Sequence, residues 1–133
     1  MLTGLTSDEP HHRALVVEDD PAIRKLVVKL LQRSGIEIDV AEDGRSAIEK
    51  IAGGSYSVVL LDLMLPEATG FEVIDFIKDS GLKLPVAVVS AVSQQSLTQL
   101  DLDVVKLVIA KPFDVEEFTK AIVTLCRDKN PGS

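Results

Sequence analysis

The chain has 133 residues, which is the length of a single domain and enough to enclose a hydrophobic core. It is 46% hydrophobic and 26% charged, contains no apolar run of membrane-spanning length, and begins without the basic and apolar stretches of a signal peptide. Because the net charge is −7 and the single cysteine, Cys126, excludes an internal disulfide, we expect a soluble cytoplasmic protein without direct contact to nucleic acid or membrane.

The first half of the chain alternates between strand-like and helix-like segments. The predicted elements are, in order, a flexible N-terminal tail over residues 1–12, a strand over 13–17, a helix from Pro21 to Gly35, a strand over 36–40, and a helix that Asp43 caps and that ends at Gly53-Gly54. The first strand ends in the acidic run Glu18-Asp19-Asp20. Asp20 followed by Pro21 is typical of an N-cap and a first helical residue.

The stretch from Ser57 to Pro66 is a run of Val and Leu around one carboxylate, Asp62. Apolar residues without alternation predict a parallel strand that is covered on both faces. Strand propensity gives no reason for Asp62, because aspartate is a poor strand former and a buried carboxylate is costly. Asp62 therefore either caps the turn after the strand or is a reactive group presented at the strand's carboxyl end.

The second half continues the same alternation. The predicted elements are a loop over 66–70, a helix over 71–79, a strand from Val86 to Ser90, a weakly helical segment over 93–103, a strand over 106–110, a final helix with a capping box of Asp114 and Glu117, and a flexible end over 129–133. Five strand–helix units in regular alternation predict one α/β domain over residues 13–128. We expect a (βα)5 three-layer sandwich with a parallel five-stranded sheet.

Functional groups in such a fold lie beyond the carboxyl ends of the strands. The residues at these ends are Glu18, Asp19, Asp20, Asp62, Ser90 and Lys111. Converging carboxylates repel each other, so either their pKa values rise or a cation binds, and oxygen-only ligands favour Mg²⁺. Lys111 adds a positive charge and Ser90 a hydroxyl, which together predict a site for a phosphoryl group with Asp62 as the nucleophile.

From Arg13 to Asp128 the sequence resembles a response-regulator receiver domain of bacterial two-component signalling. The matching features are Val-Val-Glu-Asp-Asp-Pro at the end of the first strand, Leu-Asp-Leu-Met-Leu-Pro around Asp62, Gly70 eight residues after Asp62, Ser90-Ala91, and Lys111-Pro112-Phe113. The resemblance implies the flavodoxin-like, CheY-like form of the α/β sandwich. It also implies a switch that catalyses only its own phosphorylation and dephosphorylation.

The same resemblance implies a role for each matching residue. Asp62 would take a phosphoryl group from a phosphohistidine of a sensor histidine kinase or a histidine phosphotransfer protein. Asp19, Asp62 and the backbone carbonyl of Met64 would bind Mg²⁺ directly, and Glu18 would act through a water molecule, with Asp20 as the alternative acidic partner. Lys111 would pair with phosphoryl oxygens and be followed by a cis proline. The Ser90 hydroxyl would move to the phosphoryl group, and an effector domain or a downstream protein would read the change.

Two features depart from the receiver pattern. Val108 stands three residues before Lys111, where many receivers have an aromatic residue whose rotamer reports phosphorylation. Met64 and Val92 are apolar at positions that adjust dephosphorylation in the family, which predicts a long-lived phosphorylated form.

Two alternatives remain open: a receiver-shaped interaction module that is not phosphorylated, and a Mg²⁺-dependent aspartate phosphatase. The chain is either a stand-alone receiver or part of a longer protein.

Overall fold

A computed structural model of the chain describes residues 12–65, 69–91 and 97–128. Within these ranges the elements are β1 (Arg13–Val17), α1 (Pro21–Arg33), β2 (Glu37–Ala41), α2 (Gly44–Gly53), β3 (Val58–Leu61), α3 (Gly70–Asp79), β4 (Val86–Ser90), β5 (Val105–Ala110) and α4 (Val115–Asp128). The strands predicted over 13–17, 36–40, 86–90 and 106–110 are confirmed to within one residue at each end, whereas β3 is shorter than the predicted stretch from Ser57 to Pro66. Asp62 itself lies directly after β3 rather than within it.

The five strands form one parallel sheet in the order β2-β1-β3-β4-β5. This confirms the predicted fold class. The chain begins at β1, moves outward to β2, and then returns to β3 on the other side of β1. The reversal lies between β1 and β3, which in an open α/β sheet is where a crevice forms beyond the carboxyl ends of the strands.

Apolar side chains fill both faces of the sheet. Val59 and Leu61 of β3 face a core that α2 and α3 cover, whereas Val58 and Leu60 face a second core that α1 and α4 cover. All four β3 residues are buried, which explains why β3 shows no alternation of apolar and polar residues. β2 lies at the sheet edge, where its first four residues are exposed or half-buried, so acidic residues are tolerated between the apolar ones.

Short polar side chains start the helices. The Asp20 carboxylate accepts hydrogen bonds from two backbone amides of α1, and Asp43 accepts one from α2, as predicted. Thr69 and Glu72 form a capping box that starts α3 one residue earlier than predicted. For α4 the structure shows one half of the predicted box, the bond from the Glu117 amide to Asp114 at 2.9 Å.

Several predictions concern residues outside the described ranges. These residues are 1–11 and 129–133 of the two ends predicted to be flexible, 66–68 of the predicted loop, Val92, and residues 93–96 of the weakly helical segment. From Leu97 onward that segment forms turns, with the Leu100 amide bonded to the Leu97 carbonyl at 3.3 Å. In the described part of the chain, no helix is both long enough and apolar enough to span a bilayer.

Candidate functional site

Four predicted site residues meet at the carboxyl edge of the sheet. Glu18 follows β1, Asp62 follows β3, Ser90 ends β4, and Lys111 follows β5. These four strands are neighbours in the sheet, so residues up to 93 positions apart in sequence come within hydrogen-bond distance. Glu18, Asp62 and Ser90 are buried at this edge, each less than 10% exposed.

The Asp62 carboxylate accepts three hydrogen bonds. Its Oδ1 accepts from the Met64 amide at 2.9 Å and from the Ser90 hydroxyl at 2.8 Å. Its Oδ2 accepts from the Lys111 ammonium at 3.0 Å. The bond to the amide two residues on is a turn cap, so Asp62 both caps the turn after β3 and lies at the strand's carboxyl end. The two interpretations of this residue are therefore compatible.

Lys111 lies between two carboxylates. Its Nζ contacts Glu18 Oε1 at 2.6 Å as well as Asp62 Oδ2 at 3.0 Å, and its side chain is 15% exposed. The Lys111 amide donates to the Ser90 carbonyl at 3.2 Å, which holds the backbone of the lysine against the end of β4. The bond between Lys111 and Pro112 is cis, as the resemblance implies.

The three acidic side chains that follow β1 have different surroundings. Glu18 points inward, where its Oε2 accepts from the Asp20 amide at 3.2 Å, while Asp20 itself caps α1. Asp19 is exposed. Oxygens of Glu18, Asp19 and Asp62 nevertheless lie within 4.8 Å of one another. The structure thus groups Glu18 and Asp19 with Asp62 and leaves Asp20 in the helix cap.

Burial and hydrogen bonding set the charges of the site. Burial raises the pKa of Glu18, and the hydrogen bonds from Lys111 and a backbone amide offset this only in part. Burial also acts to raise the pKa of Asp62, but the bonds from Met64, Lys111 and Ser90 outweigh it and hold that pKa below its ordinary value. Burial acts to lower the pKa of Lys111, but its bonds to the two carboxylates raise it. Asp62 is therefore a carboxylate and Lys111 an ammonium at neutral pH.

The donor set suits a hard divalent cation. The three clustered groups offer carboxylate oxygens alone, and their mutual repulsion falls when a cation is shared among them. The half-buried Lys111 pairs with two of these carboxylates, Glu18 and Asp62, and brings a single positive charge to them. Met64 belongs to this site through its backbone, since its amide bonds to Asp62 while its side chain is 73% exposed.

Sequence reasoning missed one contact to this site. Arg24, on the first turn of α1, donates to the backbone carbonyls of Glu18 and Asp19 at 2.9 and 3.4 Å. The available signal was a cation in the first turn of a helix, where acidic residues are usual. That pattern alone does not say which groups the side chain meets.

The fold and the site together define a class of protein. The strand order 2-1-3-4-5 is that of the flavodoxin-like folds, and it is combined here with an acidic cluster, a hydroxyl and a lysine at the carboxyl edge of the sheet. That combination defines a phosphoryl-accepting receiver. The family model described as "Response regulator receiver domain" matches residues 14–123, so the chain belongs to that family and is a receiver domain of two-component response regulators.

Individual relatives agree with this assignment. The chain is similar to the transcriptional regulatory protein DltR of Streptococcus agalactiae, at 38% identity over 112 residues that cover 83% of this chain and 50% of that protein. It is 34% identical over 120 residues to the response regulator MprA of Mycolicibacterium vanbaalenii, covering 90% of this chain and 52% of that protein. The chain therefore spans about half the length of the curated relatives it matches.

A solved structure extends the likeness to three dimensions. The response regulator TrrA of Thermotoga maritima, whose structure was determined in complex with Mg²⁺-BeF, superposes with a TM-score of 0.77 at 32% identity. The match covers 86% of this chain and 98% of that one. Receiver domains are phosphoacceptor switches, and the carboxylate cluster of this chain fits such a site.

Proposed function

We propose that Asp62 is the phosphoacceptor and that it receives its phosphoryl group from a phosphohistidine. The donor would be a sensor histidine kinase or a histidine phosphotransfer protein. The observation that carries this proposal is the set of contacts around Asp62, a 7% exposed carboxylate that remains ionised because an amide, a hydroxyl and an ammonium all donate to it. An ionised carboxylate at a strand end is a competent nucleophile.

The residues of the site divide the work of transfer. A carboxylate oxygen of Asp62 forms the new P–O bond while the P–N bond to the donor imidazole breaks, and the imidazole leaves with the electron pair of that bond and takes up a proton. Lys111 and Ser90, which donate to Asp62 in the free protein, can donate instead to the phosphoryl oxygens. Donors that are in place in advance stabilise the developing charge with little reorganisation.

Glu18, Asp19 and Asp62 would hold Mg²⁺, with the Met64 backbone carbonyl as a further ligand and Glu18 in an outer position. When bound, the ion neutralises charge on the transferring group. Support for this assignment comes from the oxygen-only donor set within 4.8 Å. The bond from the Met64 amide to Asp62 supports it as well, since it fixes the backbone next to that carbonyl.

We further propose that the chain catalyses only its own phosphorylation and dephosphorylation and acts in the cytoplasm with its kinase partner. The phosphorylated form would act on an effector domain or a downstream protein. Relatives that this chain half covers are transcriptional regulators, which makes control of transcription the output to test first. The readout would not use the aromatic rotamer of many receivers, because Val108, which is 38% exposed on β5, is short and stiff.

Loading with acetyl phosphate and Mg²⁺ tests the assignment. Intact-mass measurement should show one added phosphoryl group on the wild-type chain and none on Asp62→Asn. Asp75→Asn is the matched control, because Asp75 is an exposed aspartate on α3. Peptide mapping should place the added mass at Asp62. A wild-type chain that gains no mass, with Mg²⁺ and a phosphohistidine donor both present, would instead indicate the unphosphorylated interaction module.

A further inference from the structure

The loop between β1 and α1 carries two of the three acidic residues of the proposed cation site. It consists of Glu18, Asp19 and Asp20, between the last residue of β1 and the first of α1. The amide of Glu18 is held by the Ala41 carbonyl of β2 at 3.1 Å. The carbonyls of Glu18 and Asp19 point the other way, toward Arg24, and both accept from its Nη1.

Arg24 is an unusual residue for its place in the helix. Its own amide makes the first helical hydrogen bond, to the Asp20 carbonyl at 2.9 Å, so its side chain lies in the first turn of α1. A cation there opposes the positive end of the helix dipole, and the first turn contains no acidic residue to offset it. The half-buried side chain folds back onto the loop instead of extending into solvent. A local departure from helix preference of this kind is expected where a side chain serves a site.

The loop needs such support because its carboxylates are crowded. Oxygens of Glu18, Asp19 and Asp62 lie within 4.8 Å of one another and repel. Glu18 is held by Lys111, but among the described residues no hydrogen bond to the Asp19 carboxylate is seen. The position of that carboxylate therefore depends on its backbone, and Arg24 holds the Asp19 carbonyl.

We propose that Arg24 is a positioning residue for the cation site: through two backbone carbonyls it fixes the loop that carries Glu18 and Asp19. This inference rests on the proposed function of those residues as Mg²⁺ ligands. The positioning role and simple electrostatics predict opposite changes in Mg²⁺ affinity when Arg24 is removed. Removing a nearby cation should by charge alone favour binding of another cation, whereas removing the support of the loop should weaken it. Loss of an outer contact of this kind costs about tenfold in metal affinity.

The test compares Arg24→Ala with Lys25→Ala, which removes the same charge from the adjacent, exposed position of α1. Mg²⁺ affinity is measured by amide chemical-shift titration. We expect about tenfold weaker binding for R24A and unchanged or slightly tighter binding for K25A. R24K, which keeps the charge but lacks the planar guanidinium, should lie between wild type and R24A.

A second readout needs no metal. The Asp20 amide donates to Glu18 Oε2 across this loop, so its hydrogen exchange in the metal-free protein reports how well the loop is held. Exchange should accelerate in R24A and stay at the wild-type rate in K25A. If R24A does not fold, the same comparison is made with R24Q.

The outcomes separate this inference from the function on which it rests. If R24A binds Mg²⁺ as tightly as K25A and its Asp20 amide exchanges at the same rate, Arg24 does not position the loop, while phosphorylation of Asp62 stands on its own assay. If the wild-type chain shows no Mg²⁺-dependent shifts at the loop, both the cation site and the role of Arg24 are wrong.

Discussion

Gly70 offers a test of how tightly the backbone next to Asp62 is packed. It is the first residue of α3, and its amide donates to the Leu63 carbonyl at 3.2 Å. A Cβ atom at this position would lie 2.6 Å from Leu63 Cα and 2.8 Å from the Asp62 carbonyl oxygen. The φ angle of Gly70 is not in the left-handed region, so lack of space alone excludes a side chain here.

The size of the effect follows from these distances. Restoring an ordinary contact of 3.4 Å from 2.6 Å requires a shift of about 0.8 Å in backbone, which yields less easily than the end of a side chain. Overpacking of this kind costs about 1–3 kcal/mol, so Gly70→Ala should lower the free energy of unfolding by that amount. A shift of roughly 1 Å next to Asp62 should also slow its phosphorylation by up to about 100-fold.

Gly53→Ala is the matched control. Gly53 ends α2, has no positive φ, and a Cβ there would meet no atom within 4 Å. It should be neutral or stabilising by up to about 1 kcal/mol, because alanine loses less entropy on folding. Urea unfolding gives the stabilities, and loading by acetyl phosphate gives the rates. If G70A matched G53A in both, the close approach of α3 to the Asp62 loop would not constrain the site.

Three further predictions use other parts of the structure. Lys111→Met leaves two buried carboxylates without their cation, so urea unfolding should show a loss of about 3 kcal/mol at pH 7. The loss should be smaller at pH 5, because Glu18 has a raised pKa and takes up a proton as pH falls. Burial and the bond to Asp39 raise the pKa of Tyr56, the single tyrosine, to about 12. The phenolate absorbance should therefore titrate near pH 12 in the wild-type protein and nearer pH 10 in Asp39→Asn. The acyl phosphate on Asp62 should persist for minutes or longer, because the apolar side chain of Met64 cannot orient an attacking water molecule. Met64→Glu should shorten its lifetime, and decay of the wild-type acyl phosphate within seconds would contradict this prediction.

Tyr56 also illustrates the sign of such a shift. A pKa raised in the folded state means that the neutral phenol is the form the fold favours. Its contribution to stability is therefore complete below the unfolded pKa of about 10 and is lost as pH rises through 12. In D39N the loss of stability between about pH 10 and pH 12 should be smaller than in the wild-type protein. Stability that is unchanged between pH 10 and 12 in the wild-type protein would contradict the assignment.

The sequence predicts those parts of the fold that local chemistry decides. Asp20 with Pro21 and Asp43 start helices where their side chains can cap free amides, and Gly35 and Gly81 follow helices with φ values of 82° and 71°. Runs of Val and Leu predict buried strands because period-two alternation vanishes when both faces are covered. These inferences need only neighbours within a few residues.

The site was predictable as a set of residues but not as a set of contacts. Parallel topology brings strand ends together, so Glu18, Asp62, Ser90 and Lys111 could be grouped from sequence. That Lys111 touches Glu18 as closely as 2.6 Å depends on packing between elements 93 residues apart. The role of Arg24 and the lack of space at Gly70 depend in the same way on how two elements approach, which no local pattern encodes.

The contacts of Asp62 connect its structural role with its chemical one. A short side chain lets its Oδ1 reach the amide of Met64 two residues ahead, which caps the turn that follows β3. The same bond is the largest of the effects that lower the pKa of Asp62 against its burial, with Lys111 and Ser90 adding to it. A glutamate is one methylene longer and would lose this local cap. The geometry that ends the strand is thus also what keeps a buried carboxylate ionised, which requires aspartate at this position.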